Sequence, residues 1–304
     1  MKIQNIGVMS PGDMGQAVAA QLKKQGFNVC TALAKRSARS KALAQQAGLT
    51  DLGSIEQLTE KCEVILSVMN PGAALDFATE LAQAPGVTRR KPLFVDCNAI
   101  APGTMQAINA KITAAGGRCA DASIIGPPPR GAAKTCLYVS GPEARELEQL
   151  ATPQVTVRVL SDRLGDASAI KMCYGAMNKG MIAMVLELLV AARRLGVDAA
   201  LEAQLKETHG DIYDRIIGAL PVMPPKAYRW VPEMLQIAQT FEAAGMTPRM
   251  FQGAADMYEF IAATALGKET PENRDKSRGG KDVVRLLADM PAASAKRSAV
   301  SGQR

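Results

Sequence analysis

One helix face carries an unusual set of polar groups. With Lys171 as origin and about 100° per residue, Ser168, Tyr174 and Asn178 all fall within about 60° of it on a stretch rich in Ala, Met, Leu and Ile. Burying a hydroxyl, a lysine, a phenol and an amide together requires partners or a water-filled cleft. A lysine partly desolvated there has its pKa lowered, which suits proton exchange with a substrate oxygen near neutrality. Lys171 is the candidate for that exchange. Asn178 is the candidate for orienting the oxygen, with Tyr174 assisting. Lys179 lies off this face and is the weaker choice.

A second constellation opens the chain. The stretch Gly7-Val8-Met9-Ser10-Pro11-Gly12-Asp13-Met14-Gly15 follows an apolar run and precedes a helical pattern. Ser10-x-Gly12-x-x-Gly15 fills a dinucleotide fingerprint with its first glycine replaced. Gly12 lets backbone approach a pyrophosphate, Gly15 lets helix and strand pack, and the helix start offers its amides to phosphate. Ser10, Pro11, Gly12, Asp13 and Met14 are therefore candidate cofactor contacts. An NAD site would place Asp or Glu at the end of the second strand, yet no acid stands between Asp13 and Asp51. The strand ends Ala34-Lys35-Arg36-Ser37. A guanidinium meets a 2′-phosphate bidentately and a hydroxyl adds another bond, so Lys35, Arg36 and Ser37 point to NADP.

These groups need a scaffold to position them. Short apolar runs at Lys2–Val8, Asn28–Leu33, Val64–Val68, Leu93–Asp96, Cys119–Ala122, Thr135–Ser140 and Thr156–Val159 alternate with helical stretches. That alternation predicts an α/β unit with a parallel, doubly wound sheet over residues 1–163. Past Leu160 no strand pattern follows. Gly165–Gly196 reads as one long, mostly apolar helix joining the sheet to an all-helical domain, 164–290. The active site is expected between the two. The small-residue tail 291–304 reads as disordered.

Composition removes several function classes. The 304 residues are 47% hydrophobic and 21% charged, as in ordinary globular chains. The longest apolar run, Met181–Ala192, is short of the roughly 20 residues a bilayer span needs, and no signal pattern opens the chain. Six cysteines stand singly, without CxxC spacing, which suits reduced thiols in the cytoplasm. One histidine, His209, and no Cys/His cluster argue against a metal site. His209, between Thr208 and Gly210, reads as a helix end. The net charge of +7 resides in Lys35, Arg36, Arg39 and Lys41 and in Lys296, Arg297 and Arg304. With aromatics at 4%, base-stacking platforms are scarce, so nucleic acid is not the expected partner.

The motifs together resemble the β-hydroxyacid dehydrogenase and 6-phosphogluconate dehydrogenase superfamily. Gly7, Gly12, Met14 and Gly15 match its G-x-I-G-x-G-x-M-G loop. Val68-Met69-Asn70-Pro71 is similar to the stretch lining the cofactor ribose and nicotinamide. Asp96–Pro102 resembles D-x-S-T-x-x-P, with Asn98 in the serine position. Asp121–Ala132 resembles D-A-P-V-S-G-G-x-x-G-A, and Gly165-x-Ala167-x-x-x-Lys171 the catalytic-lysine helix. The second half resembles a phosphogluconate dehydrogenase-type C-terminal domain. The resemblance implies a Rossmann domain, a nicotinamide cofactor touched by Val68, Met69 and Asn70, Lys171 as acid/base, and substrate contacts from Asn98, Ser123 and Gly126.

Departures matter too. The family's asparagine four residues past the lysine is Gly175, and glycine inside a helix costs about 1 kcal/mol relative to alanine. The turn that would grip a carboxylate reads Gly126-Pro127-Pro128-Pro129, and proline has no N–H. Arg130 is the candidate replacement anchor for an anionic substrate. The expected activity is NADP-dependent hydride transfer on a small hydroxy or oxo compound, in a homodimer built through the C-terminal helices. The rivals are an imine reductase, which tends to lack the lysine, and a regulatory NADP-binding protein without turnover.

Overall fold

The computed structural model describes residues 2–34 and 36–291. Eight strands form one sheet: β1 (Asn5–Met9), β2 (Asn28–Thr31), β3 (Thr50–Asp51), β4 (Val64–Ser67), β5 (Leu93–Asp96), β6 (Arg118–Ile125), β7 (Thr135–Ser140) and β8 (Val155–Ser161). Their order is β3-β2-β1-β4-β5-β6-β7-β8. All neighbours run parallel except β6 and β7, which pair antiparallel. The sheet is therefore doubly wound and mostly, not wholly, parallel. The exception follows from the short Gly126–Lys134 connection, which is too short for the helical crossover a parallel pair requires.

Helices cover both faces. One face packs Ile6, Val8, Val64, Val95 and Ala122 under α1 (Asp13–Lys24). The other packs Ile65 and Phe94 under α3 (Ile55–Lys61), α4 (Ala74–Ala82), α5 (Pro85–Arg90) and α6 (Pro102–Ala114). Here α2 spans Ala38–Gln46. The sequence reading lacks β3, α3 and α5, each too short to show a period.

The sheet belongs to a compact unit of Met1–Ala176 plus Leu235–Pro248. That unit extends beyond the expected boundary near Ser161–Gly165, because α7 (Asp166–Gly175) lies against β6. Within it, Gln236 Oε1 accepts from Ala101 N at 2.7 Å and Thr104 Oγ1 at 2.8 Å, satisfying the start of α6.

The second unit, Met177–Met234 with the chain from Arg249, is all helical among the described residues. It holds α8 (Met181–Arg194), α9 (Asp198–Ala219), the first half of α10 (Ala227–Ala243), α11 (Arg249–Ala263) and α12 (Gly280–Ala288). His209 is exposed and takes non-helical angles inside α9, marking a kink rather than an end. The expected single helix Gly165–Gly196 is broken by a π-turn at Ala176–Gly180. The Lys179 carbonyl there accepts the buried Tyr258 hydroxyl at 2.6 Å, and Lys179 Nζ pairs with Glu233 beside the Trp230 ring. The run Asp166–Arg194 is long and apolar enough to cross a bilayer by length and composition. Its α7 part buries Ala167, Ser168 and Met172, and its α8 part packs on α11 and α12. The tail 292–304 lies outside the described residues.

A polar row crosses the sheet. Ser67, Asp96, Asp121 and Ser140 are consecutive register partners on β4 to β7, and all are fully buried. Burial pushes Asp96 up to about 7, opposed by hydrogen bonds from Asn98 and reinforced by the Asp121 charge. Asp121 is raised too, again chiefly by burial. The folded chain thus holds protons that the unfolded chain releases near the ordinary carboxylate pKa of about 4. The stability this contributes is present in acid and is lost as pH rises through about 7. Urea unfolding at about pH 5 and pH 8 should show wild type weaker at the higher pH, and Asp96→Asn should flatten that difference. An identical pH dependence in the variant would contradict the assignment.

Candidate active site

The glycine loop is built by backbone bonds. Ser10 N donates to Val68 O at 3.1 Å and Gly12 N to Ser10 O at 2.8 Å, tying the loop to the end of β4. A Cβ on Gly15 would stand 2.4 Å from Ser10 O, so only glycine lets α1 start this close. A Cβ on Gly12 would meet nothing within 4 Å. The N-terminus of α1 has no side-chain cap. Open space, uncapped amides and a helix start fit a bound diphosphate.

A pocket of about 200 Å³ lies at the carboxyl ends of β1 and β2, lined by residues including Met9, Ala34, Arg36, Ser54, Glu56 and Glu80. Arg36 follows β2 and lines this pocket. Ser37 caps α2, its hydroxyl accepting from Ser40 N at 3.2 Å. Lys35 lies outside the described residues. Asp51, the first acid after β2, accepts from Leu33 N at 3.1 Å and Gly53 N at 2.8 Å, so its carboxylate shapes the pocket wall. Sequence reasoning missed Ser54, Glu56 and Glu80. The Ser54-x-x-Gln57 cap pattern was the available signal, and Ser54 does accept from Gln57 N.

Val68, Met69 and Asn70 follow β4. Met69 N donates to Asn98 Oδ1 at 2.6 Å, and Asn70 Oδ1 accepts from Gly72 N at 3.1 Å. Asn98 is buried. Its Nδ2 donates to Ser67 Oγ at 2.9 Å and to Asp96 Oδ2 at 2.8 Å. Both amide protons are thus engaged. Asn98 thereby braces the ends of β4 and β5.

Asp121 fixes the start of α7. Its Oδ2 accepts from Ser168 N at 2.9 Å and Ser140 Oγ at 3.0 Å, and its Oδ1 from Ser168 Oγ at 2.7 Å. Ser140 Oγ also accepts from Ala167 N at 2.9 Å. A carboxylate at a helix N-terminus is favoured by the dipole and satisfies orphan amides. The lysine of α7 is then held one turn on: Lys171 Nζ donates to Ile124 O at 2.6 Å, on the strand that carries Asp121. Ser123 precedes that carbonyl, and its Oγ is buried without a hydrogen-bond partner. Such an orphan costs about 1–3 kcal/mol unless a ligand satisfies it. Tyr174 is half exposed on α7. Asn178 falls in the π-turn, where i→i+5 bonding adds a residue to the turn, so the spacing of about 100° per residue from Lys171 does not carry past Ala176.

Gly126 has φ +129°, and a Cβ there would stand 3.0 Å from Thr135 Oγ1. The loop it begins turns toward α1. Arg130 Nη2 donates to Asp13 Oδ1 at 2.7 Å and Asp13 O at 2.8 Å. Arg130 therefore stands at the glycine loop. Among the described residues no cluster of His, Cys, Asp and Glu could hold a metal.

Residues 5–152 match the NAD binding domain of 6-phosphogluconate dehydrogenase, and residues 192–261 match a domain of unknown function, DUF1932. A mitochondrial 3-hydroxyisobutyrate dehydrogenase from Drosophila melanogaster is 24% identical over 233 residues, 73% of this chain and 70% of its own length. A solved conserved protein of unknown function, described as structurally similar to 3-hydroxyacid dehydrogenases, is 27% identical with a TM-score of 0.63, covering 94% of this chain and 100% of that one. The 3-hydroxyisobutyrate dehydrogenase of Mycobacterium tuberculosis shares the fold at 19% identity and a TM-score of 0.67, covering 94% and 99%. The chain thus pairs a nicotinamide-cofactor domain of the 6-phosphogluconate dehydrogenase type with a DUF1932 domain, on the fold of the 3-hydroxyacid dehydrogenases.

Proposed function

We propose that the chain is an NADP-dependent oxidoreductase for a small hydroxy or oxo compound, with Lys171 as the acid/base. The observation that carries this is the anchored lysine: α7 is pinned by Asp121 and Ser140, and Nζ sits at 2.6 Å from the Ile124 carbonyl. A lysine so placed can give a proton to a carbonyl oxygen in reduction, or take one from a hydroxyl in oxidation. A bound nicotinamide supplies or accepts the hydride. Ser10 to Met14 would hold the cofactor's diphosphate, Arg36 its 2′-phosphate, and Val68, Met69 and Asn70 the far half. Ser123 offers the substrate a hydroxyl that lacks a partner. Asn98 acts by holding Met69 in place. An imine reductase of this fold would not need Lys171, which favours the alcohol chemistry. Exposed Met184, Leu195 and Met250 in the helical unit support a homodimer built there.

Lys171→Ala should keep NADPH affinity and lower turnover by roughly 10²- to 10⁴-fold, the range of a positioned acid/base. Wild-type turnover in that variant would remove the lysine from the mechanism. In parallel, Arg36→Ala should weaken NADPH by about 10- to 100-fold, the range for bonds to a charged group, and leave NADH unchanged. Equal wild-type affinities for the two cofactors would contradict the NADP assignment.

A further inference from the structure

We propose that Arg130 belongs to the cofactor site, where its guanidinium holds the dinucleotide's pyrophosphate and Asp13 is its resting partner. The inference rests on the cofactor reading above and adds a residue to it. Four observations carry it.

First, the loop after β6 is tied to α1 at two points. Gln21, buried on α1, donates its Nε2 to Pro129 O at 2.7 Å, and Arg130 reaches the first residue of α1. Second, the loop is stiff. Pro127, Pro128 and Pro129 each fix φ, Arg130 N donates to Pro128 O at 2.8 Å, and Ala133 N to Arg130 O at 2.9 Å. The prolines remove amides that could grip a substrate carboxylate, and what the loop offers instead is the Pro129 carbonyl and the Arg130 side chain, both delivered to α1.

Third, the ion pair engages Nη2 alone, so Nε and Nη1 keep donors for two phosphate oxygens. Fourth, the charge balance demands a cation. Asp13 in the first turn of α1 suits the helix dipole. The same carboxylate repels an arriving pyrophosphate. Arg130 and Asp13 are each about half exposed, at 48% and 46%, so solvent screens the pair and it is weak. A guanidinium held that loosely can shift to a doubly charged ligand beside it.

The test is the affinity of the full chain for NADPH and NADH, titrated by nicotinamide fluorescence for wild type, Arg130→Ala, Arg130→Lys and Asp13→Asn, with a thermal melt of each. Arg130→Ala should melt close to wild type and lose about 10- to 100-fold affinity for both cofactors alike, the range for bonds to a charged group. Arg130→Lys should recover part of the loss, keeping charge without the fork. Asp13→Asn keeps the backbone amide at the start of α1 and removes the repelling carboxylate, so it should bind both cofactors more tightly than wild type. Arg130→Ala binding both cofactors within about twofold would overturn the proposal while leaving the cofactor reading intact. A loss in Asp13→Asn equal to that in Arg130→Ala would also overturn it, because Arg130 would then act only by bracing the loop. Wild type binding neither cofactor would overturn both readings.

Discussion

The carboxylate of Asp121 is the fixed point of the part of the sheet on which α7 docks. It is fully buried, and it is tolerated there because four groups, two from backbone and two from hydroxyls, hydrogen-bond it. Most of those groups belong to the start of α7. The bonds that satisfy a buried charge are therefore the same bonds that dock the lysine helix. Moving Asp121 would strand the amide and hydroxyl of Ser168 and loosen the helix that holds Lys171 against the Ile124 carbonyl. Asp96, its register partner, sits under the same constraint and answers it by holding a proton to about pH 7. Asn98 and Ser67 then pass the geometry from Asp96 to Met69.

The opposite end of the same sheet is organised by a missing side chain. Gly15 brings α1 against Ser10 O, and this sets the loop amides at the carboxyl edge of β1. Charge is then distributed around that loop by residues far apart in sequence. Arg36 comes from the β2 end and Arg130 from the β6–β7 connection, 117 residues from the Asp13 it pairs with. Under the proposed reading both cations would face the cofactor's phosphates.

Much of this was legible before any coordinates. Buried parallel strands are continuous apolar runs, so β1, β2, β4 and β5 are visible as such. The glycine loop was legible because a close strand–helix turn needs glycine at fixed spacing. β3 has two residues and α3 has seven, too few to show a period. The antiparallel turn to β7 hides in a proline-rich loop whose partner, α1, only the tertiary fold supplies. The π-turn leaves no composition signal and undoes a face drawn at a constant angle, which is why Asn178 could not be placed from Lys171. Asn98 shows a different limit: an amide at a family substrate position serves as well for bracing strand ends as for binding, and its bonds to Ser67, Asp96 and Met69 emerge only in the fold.

The central claim is that Asp121 acts on chemistry through the position of Lys171. A double-mutant cycle in turnover tests it most directly: wild type, Asp121→Ala, Lys171→Ala and the double variant, each at saturating cofactor, with folding checked by circular dichroism. The account predicts strong coupling. Lys171→Ala should lose most of its effect once Asp121 is gone, since the lysine is then no longer held where it works. Lys171→Ala costing the same factor in both backgrounds would contradict the account.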